Sequence, residues 1–178
     1  QKTVTKDNKE YLDGVAVKRQ KMSKIRELTA EHMVRSVRTS PHVTTTFEID
    51  LHHVAQVKSN FEQQIIEKHK LKITYTSFFI HAAVEALKLH PILNASVDGS
   101  DILLKETINM GCAIAIESGL IVPVIKNANK LSFIEKALAL NDLAQRAHSK
   151  KILPDELLGG TFSITNPGMY GCLHSQPI

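Results

Sequence analysis

Gly159-Gly160-Thr161-Phe162-Ser163-Ile164-Thr165-Asn166-Pro167-Gly168-Met169-Tyr170 reads as a strand that ends on a hydroxyl and an amide. Two glycines break the chain ahead of it. Residues 161–165 are rich in β-branched and aromatic side chains, and Pro167-Gly168 turns the chain behind them. Thr165 and Asn166 therefore stand where a strand stops and bends. Such a position lets a rigid element hold polar groups against a substrate. Alone, the stretch is also a plain strand followed by a turn, so its meaning rests on the rest of the chain.

Upstream, the order of elements is mixed. The first 21 residues are polar and charged with no sustained period, and read as an arm or the end of a linker. From Ser23 a helix carries Ile25, Leu28, Met33 and Val37 near one face, and Ser40-Pro41 stops it. Val43, Thr45, Phe47, Ile49 and Leu51 then alternate with Thr44, Thr46, Glu48 and Asp50, the cleanest period-two pattern in the chain, and predict a half-buried strand. A second helix has Val54, Val57, Phe61 and Ile65 on its apolar face. A third, capped by Thr76 or Ser77 and ended by Pro91, is apolar enough to be buried on most sides.

Asp98-Gly99 marks a hairpin between 95–97 and 102–104. The apolar runs 109–116 and 120–125 meet at Glu117-Ser118-Gly119, which predicts another hairpin. Ser132-Phe133-Ile134-Glu135 is a capping box opening a helix with Ile134, Leu138, Leu143 and Ala147 on one side. Leu153-Pro154-Asp155-Glu156-Leu157 makes a short turn before the opening motif. The fold class is α/β, without the βαβ alternation of a dinucleotide-binding domain.

Composition narrows the chemistry. The chain has 178 residues, 43% hydrophobic and 22% charged, enough for one sizeable domain or most of one. Aromatics are 5% and Trp is absent, so the core is aliphatic. A formal charge of +4 suits a phosphorylated ligand or a solvated basic face. Cys112 and Cys172 stand far apart with no Cys-x-x-Cys, which favours a reducing, cytoplasmic or matrix-like compartment over a structural zinc site. No run is long and apolar enough to span a membrane, and no signal peptide is legible.

The nine histidines form no metal-ligand spacing. His32, His69, His90 and His148 fall on polar faces or helix ends, His52 and His53 point to different sides, and His42 reads as structural. Phosphate-loop, dinucleotide and nucleophile-elbow motifs are absent. The basic residues lack the aromatic interleaving of a nucleic-acid face.

Several ordered runs carry a resemblance. They are Ser40-Pro41-His42-Val43-Thr44 followed by Glu48-Ile49-Asp50; the stretch from Lys72-Ile73-Thr74 into Ser77-Phe78-Phe79; Pro91-Ile92-Leu93-Asn94-Ala95-Ser96; the run 119–127; and Gly160-Thr161-Phe162-Ser163-Ile164-Thr165-Asn166. In that order they resemble the catalytic domain of the dihydrolipoamide acyltransferases, the E2 cores of 2-oxo acid dehydrogenase complexes.

The resemblance implies a CoA-dependent acyltransferase (chloramphenicol acetyltransferase-like) fold, a mixed sheet flanked by helices, over residues 22–178. It implies a homotrimer that builds a larger core, with E1 and E3 as partners. Acyl groups would pass between coenzyme A and the lipoyl-lysine of a separate lipoyl domain, in channels between subunits. By matching, Thr165 becomes the catalytic oxyanion donor, and Lys58, Thr74, Thr165 and Asn166 become the coenzyme A contacts. Lys58 also reads as a solvated helix lysine.

One departure matters. The family's general base lies in a His-x-x-x-Asp-Gly signature, and these residues hold none. His81-x-x-x-Glu85-Ala86 imitates it inside the third helix, and His174 falls in a loop. The resemblance therefore implies a catalytic domain missing its C-terminal part and inactive as it stands. The alternative is a non-catalytic trimeric scaffold that has lost its base; a third reading is a CoA-dependent acyltransferase of the same fold acting on a small acceptor. Ser96-Val97-Asp98 and Asn166-Pro167-Gly168 lean the acyl specificity towards branched-chain or broad.

Overall fold

The structure, a computed structural model, describes residues 2–4, 10–117, 119–167, 171–176 and 178. Ser118 in the predicted hairpin and residues 168–170 of the Pro-Gly turn lie outside them. The chain divides into two compact units, Gln1–Thr45 with Ile178, and Thr46–Pro177.

In the first unit, β1 (Lys2–Val4), β2 (Glu10–Leu12) and β3 (Val15–Val17) form an antiparallel meander. Its tight turn is Asp13-Gly14, with φ of 49° and 81°, the left-handed pair that a two-residue hairpin needs. The sequence reading gave this stretch no element, although Asp-Gly between Leu12 and Val15 is a hairpin signal. Helix α1 (Lys24–Thr39) follows, its start fixed by the Ser23 hydroxyl accepting from the Arg26 N–H.

The predicted strand over Val43–Leu51 does not form. Residues 41–51 carry no helix or strand, and Val43, Phe47 and Ile49 are 89%, 79% and 73% exposed. A period-two pattern fits a pleated surface, but a strand also needs a partner for its N–H and C=O groups. Among the described residues none pairs with it.

The second unit is built round a small mixed sheet. Strand β6 (Met110–Cys112) lies between β10 (Phe162–Ile164), which is parallel to it, and β9 (Val124–Ile125), which is antiparallel. Phe162, Ser163 and Ile164 stand opposite Met110, Gly111 and Cys112. Two hairpins flank this sheet, β4 (Ser96–Asp98) with β5 (Asp101–Leu103), and β7 (Ile114–Ile116) with β8 (Gly119–Ile121). The two apolar runs pair as one hairpin, as predicted: β6 with β9 and β7 with β8 keep a single antiparallel register from Met110↔Ile125 to Ile116↔Gly119, the ladder being interrupted only around Ala113 and Val122-Pro123, and the other edge of β6 takes β10.

Helices α2 (His52–His69), α3 (Tyr75–Leu89) and α4 (Phe133–His148) complete the unit. Helix α3 starts at Tyr75 with Thr74 as its N-cap, two or three residues ahead of the predicted caps Thr76 and Ser77. It buries one face, Ser77, Ile80, Val84 and Leu87, rather than most sides. The Ser132–Glu135 capping box of α4 forms in full.

Helices α3 and α4 pack on each other, and α4 lies along β7 and β9. The core joins Ile80, Val84, Leu87, Ile108, Met110, Cys112, Ile125 and Leu143. Each fully buried aliphatic side chain of this kind contributes about 1.5–3 kcal/mol.

Candidate active site

Strand β10 ends at Ile164, and Thr165 and Asn166 follow it onto the wall of a cleft of about 500 Å³. Three other segments complete the walls. The approach to α3 gives Lys72, Thr74, Thr76 and Ser77; β6, β7 and β8 give Cys112, Ile114 and Leu120; one stripe of α4 gives Ala137, Leu140, Asn141, Ala144 and His148. That stripe follows the helical period, which is why residues eleven apart in sequence face one space.

Polar groups are tied to one another across the cleft. The Asn166 Nδ2 donates to Thr76 Oγ1 at 3.1 Å, linking the strand end to the first turn of α3. The Thr74 and Ser77 hydroxyls lie 3.3 Å apart. Thr165 is exposed, and among the described residues none hydrogen-bonds its hydroxyl. The β-branch limits its χ1, so the place of the hydroxyl oxygen is partly set before any substrate arrives, while the O–H turns to meet its partner.

Cys112 also lines the cleft, but burial pushes its thiol up to about 12, so it is a neutral wall group and no nucleophile near neutral pH. Among the described residues no group of three or more His, Cys, Asp or Glu side chains is arranged to hold a metal ion, and no helix is long and apolar enough to cross a membrane.

Of the four coenzyme-contacting positions expected from the sequence, Thr74, Thr165 and Asn166 come together here. Lys58 does not line this cleft. It pairs with Glu62 at 2.9 Å on its own helix, stands 6.0 Å from the centre of the Tyr75 ring, and borders a separate apolar groove with Phe61, Phe78, His81 and Phe133. His81 is occupied there too. Its Nδ1 lies 3.3 Å from the Nζ of the buried Lys136, whose own pKa is lowered by desolvation.

Sequence reasoning missed Lys72, Asn141 and His148 as cleft residues. The signal for the last two was their interruption of an otherwise small, apolar helical stripe.

The sequence model of the family described as 2-oxoacid dehydrogenases acyltransferase (catalytic domain) matches residues 15–178. The dihydrolipoyllysine-residue succinyltransferase component of the 2-oxoglutarate dehydrogenase complex of Rickettsia typhi is 39% identical over 175 residues, 98% of this chain and 43% of that protein. The chain therefore spans less than half the length of this curated relative.

Two crystal structures share the fold at a TM-score of 0.86 over 91% of this chain. One is a probable dihydrolipoamide acetyltransferase from Listeria monocytogenes, 31% identical, matched over 69% of its length. The other is the Azotobacter vinelandii dihydrolipoamide acetyltransferase, 28% identical and matched over 67%, in which the catalytic roles of a serine, a histidine and an asparagine were investigated.

Proposed function

The chain belongs to the family of 2-oxoacid dehydrogenase acyltransferase catalytic domains, and we propose that its cleft is where an acyl group passes between coenzyme A and the dihydrolipoyl group of a lipoyl domain, with Thr165 as the oxyanion donor. The observation that carries this reading is the meeting of Thr165 and Asn166 with Thr74, from two segments about ninety residues apart in sequence, in one cleft.

A pantetheine arm is a thin chain of methylenes interrupted by amides. The cleft's walls offer both kinds of partner, the aliphatic Ile114, Leu120, Leu140 and Ile164 and the polar Thr74, Thr76, Asn141 and Asn166. In the transfer, one thiol sulfur attacks the thioester carbonyl carbon and a new C–S bond forms. The carbonyl oxygen takes the displaced electron pair and is held by the Thr165 O–H. Collapse breaks the old C–S bond, and the proton of the attacking thiol ends on the departing sulfur. The base that carries this proton is expected from a His-x-x-x-Asp-Gly signature, which these 178 residues do not contain.

The acyl group is succinyl in this reading. The Rickettsia relative is a succinyltransferase, and Lys72 brings a cation to the cleft that suits a free carboxylate. The branched-chain lean drawn from the sequence has no counterpart in the relatives named above. Family membership likewise supports a trimer-based core with lipoyl domain, E1 and E3 as partners.

The test is Thr165→Ala in the intact protein. Turnover of acyl transfer from succinyl-CoA to dihydrolipoamide should fall on the order of 10²-fold with little change in KM for the CoA thioester. Unchanged turnover would remove Thr165 from the mechanism, and a preference for acetyl-CoA over succinyl-CoA would overturn the acyl assignment.

A further inference from the structure

The strand that leads to Thr165 is three residues long, Phe162–Ile164, and one side chain of the neighbouring segment does much to hold its entry. Asn109, immediately ahead of β6, uses both ends of its carboxamide. Nδ2 donates to the Gly159 carbonyl at 2.8 Å, and Oδ1 accepts from the Asn127 N–H at 2.9 Å. Its main chain binds the same loop: the Asn109 N–H donates to Thr161 Oγ1 at 3.0 Å, and its carbonyl accepts from the Thr161 N–H at 2.9 Å.

The two turns it bridges are both left-handed. Asn127 has φ 50° and Gly159 has φ 71°, so each is a point where the chain departs from the common backbone basins. The first turn follows β9 and the second precedes β10, and these are the two strands on either side of β6. One carboxamide therefore ties both neighbours of β6 to its entry. Lys126 Nζ, donating to the Leu158 carbonyl, closes the same loop from the other side.

This task needs one donor and one acceptor at a fixed spacing on a short stem. Asparagine supplies that, whereas a carboxylate would set a second oxygen against the Gly159 carbonyl. Resting on the functional reading above, we infer that Asn109 is a positioning residue for acyl transfer: it sets the register of β10 on β6, and through that the place of the Thr165 hydroxyl in the cleft. The parallel pairing has few other constraints. Its far end is held by the Ala113 N–H donating to the Ile164 carbonyl at 2.9 Å. An error in register at Thr161 is carried to Thr165, and misplacing a reacting group by about 1 Å is enough to cost up to about 10²-fold in rate.

The experiment is a kinetic double-mutant cycle in the intact protein, with Asn109→Asp, Thr165→Ala and the pair. Asn109→Asp should lower kcat about tenfold with a less than about threefold change in KM for the CoA thioester. In the Thr165→Ala background the same change should cost almost nothing, because the hydroxyl it positions is gone. As pH falls, kcat of Asn109→Asp should climb back towards the parent, since the protonated carboxyl regains the donor to Gly159.

If Asn109→Asp does not fold, Asn109→Ser, which keeps a short donor, is carried through the same cycle. An equal loss in both backgrounds, or a loss confined to KM, overturns the inference. An inert Thr165→Ala overturns the functional reading instead, so the two failures are told apart.

Discussion

Gly111→Ala tests the close approach of β6 and β10. Gly111 is buried at the middle of β6, opposite Ser163, and its φ is not left-handed, so alanine is allowed by the backbone. The obstacle is space. A Cβ there would lie 2.6 Å from Ser163 Oγ, 3.0 Å from Val122 Cγ1 and 3.5 Å from the Phe162 carbonyl oxygen. Ser163 is exposed and relieves its contact by changing rotamer, whereas Val122 is β-branched, stiff at χ1 and has to yield by a few tenths of an ångström.

Overpacking of this kind costs about 1–3 kcal/mol, and the smaller unfolded-state entropy of alanine returns about 0.4–1 kcal/mol. The net expectation is a loss of about 1 kcal/mol, seen in urea titration of the intact protein as a lower midpoint with the slope unchanged. Adding Ser163→Ala removes the 2.6 Å contact and leaves the 3.0 Å one, so the pair should recover part of the loss. Ser163→Ala alone should be nearly neutral. A Gly111→Ala protein as stable as the parent, or no coupling between the two sites, would refute the claim that this glycine exists for the approach of β10.

Thiol titration with an aromatic disulfide should show one fast cysteine, the exposed Cys172, and a slow Cys112. Burial raises the Cys112 pKa from 9.0 to about 12, cutting its thiolate fraction about 10³-fold below pH 9, and two fast thiols would contradict this. The same shift is a stability statement: the folded-state pKa is raised, so its contribution is complete below 9.0 and is lost as pH rises towards 12. At the other end of the scale, the hydrogen bonds from the Arg146 guanidinium, with the Leu153 N–H, hold the Glu156 carboxyl at about 2 instead of 4.5. That stability is present above 4.5 and lost as pH falls towards 2, so the stability gap between the parent and Glu156→Gln should close over that window; a gap that stays constant counts against the clamp.

What was legible in the sequence was what depends on neighbours in sequence. Ser23 and Ser132 cap α1 and α4 as local chemistry dictates, and the hairpin expected at Asp98-Gly99 forms, its turn at Gly99-Ser100 with Gly99 at φ 58° and Asp98 the last paired residue of β4. Thr165 and Asn166 stand at the strand end because Phe162–Ile164 and Pro167 bracket them. What was not legible depends on partners far along the chain. Alternation over Val43–Leu51 says that the segment suits a sheet, not that a sheet edge awaits it. The parallel pairing of β10 with β6 joins residues about fifty positions apart, and Asn109 shows its importance only once that pairing exists. In the sequence Asn109 is one polar residue at the head of an apolar run.

The division between Thr74 and Lys58 follows from the same distinction, and it bears on which part of coenzyme A the cleft serves. Both positions were assigned by resemblance. Thr74 precedes α3 and faces Thr165's cleft, while Lys58 belongs to α2, where Glu62 one turn on already neutralises it. Among the described residues that line the cleft, only Lys72 is a lysine or arginine; the remainder are hydroxyls, amides, one histidine, one thiol, a proline and aliphatic groups. A pocket of that composition recognises an uncharged, amide-bearing arm and a thioester far better than a cluster of phosphates, which calls for several cations or a helix N-terminus. In the proposed reaction the described lining of this cleft therefore suits the sulfur end of coenzyme A better than its phosphate-bearing end.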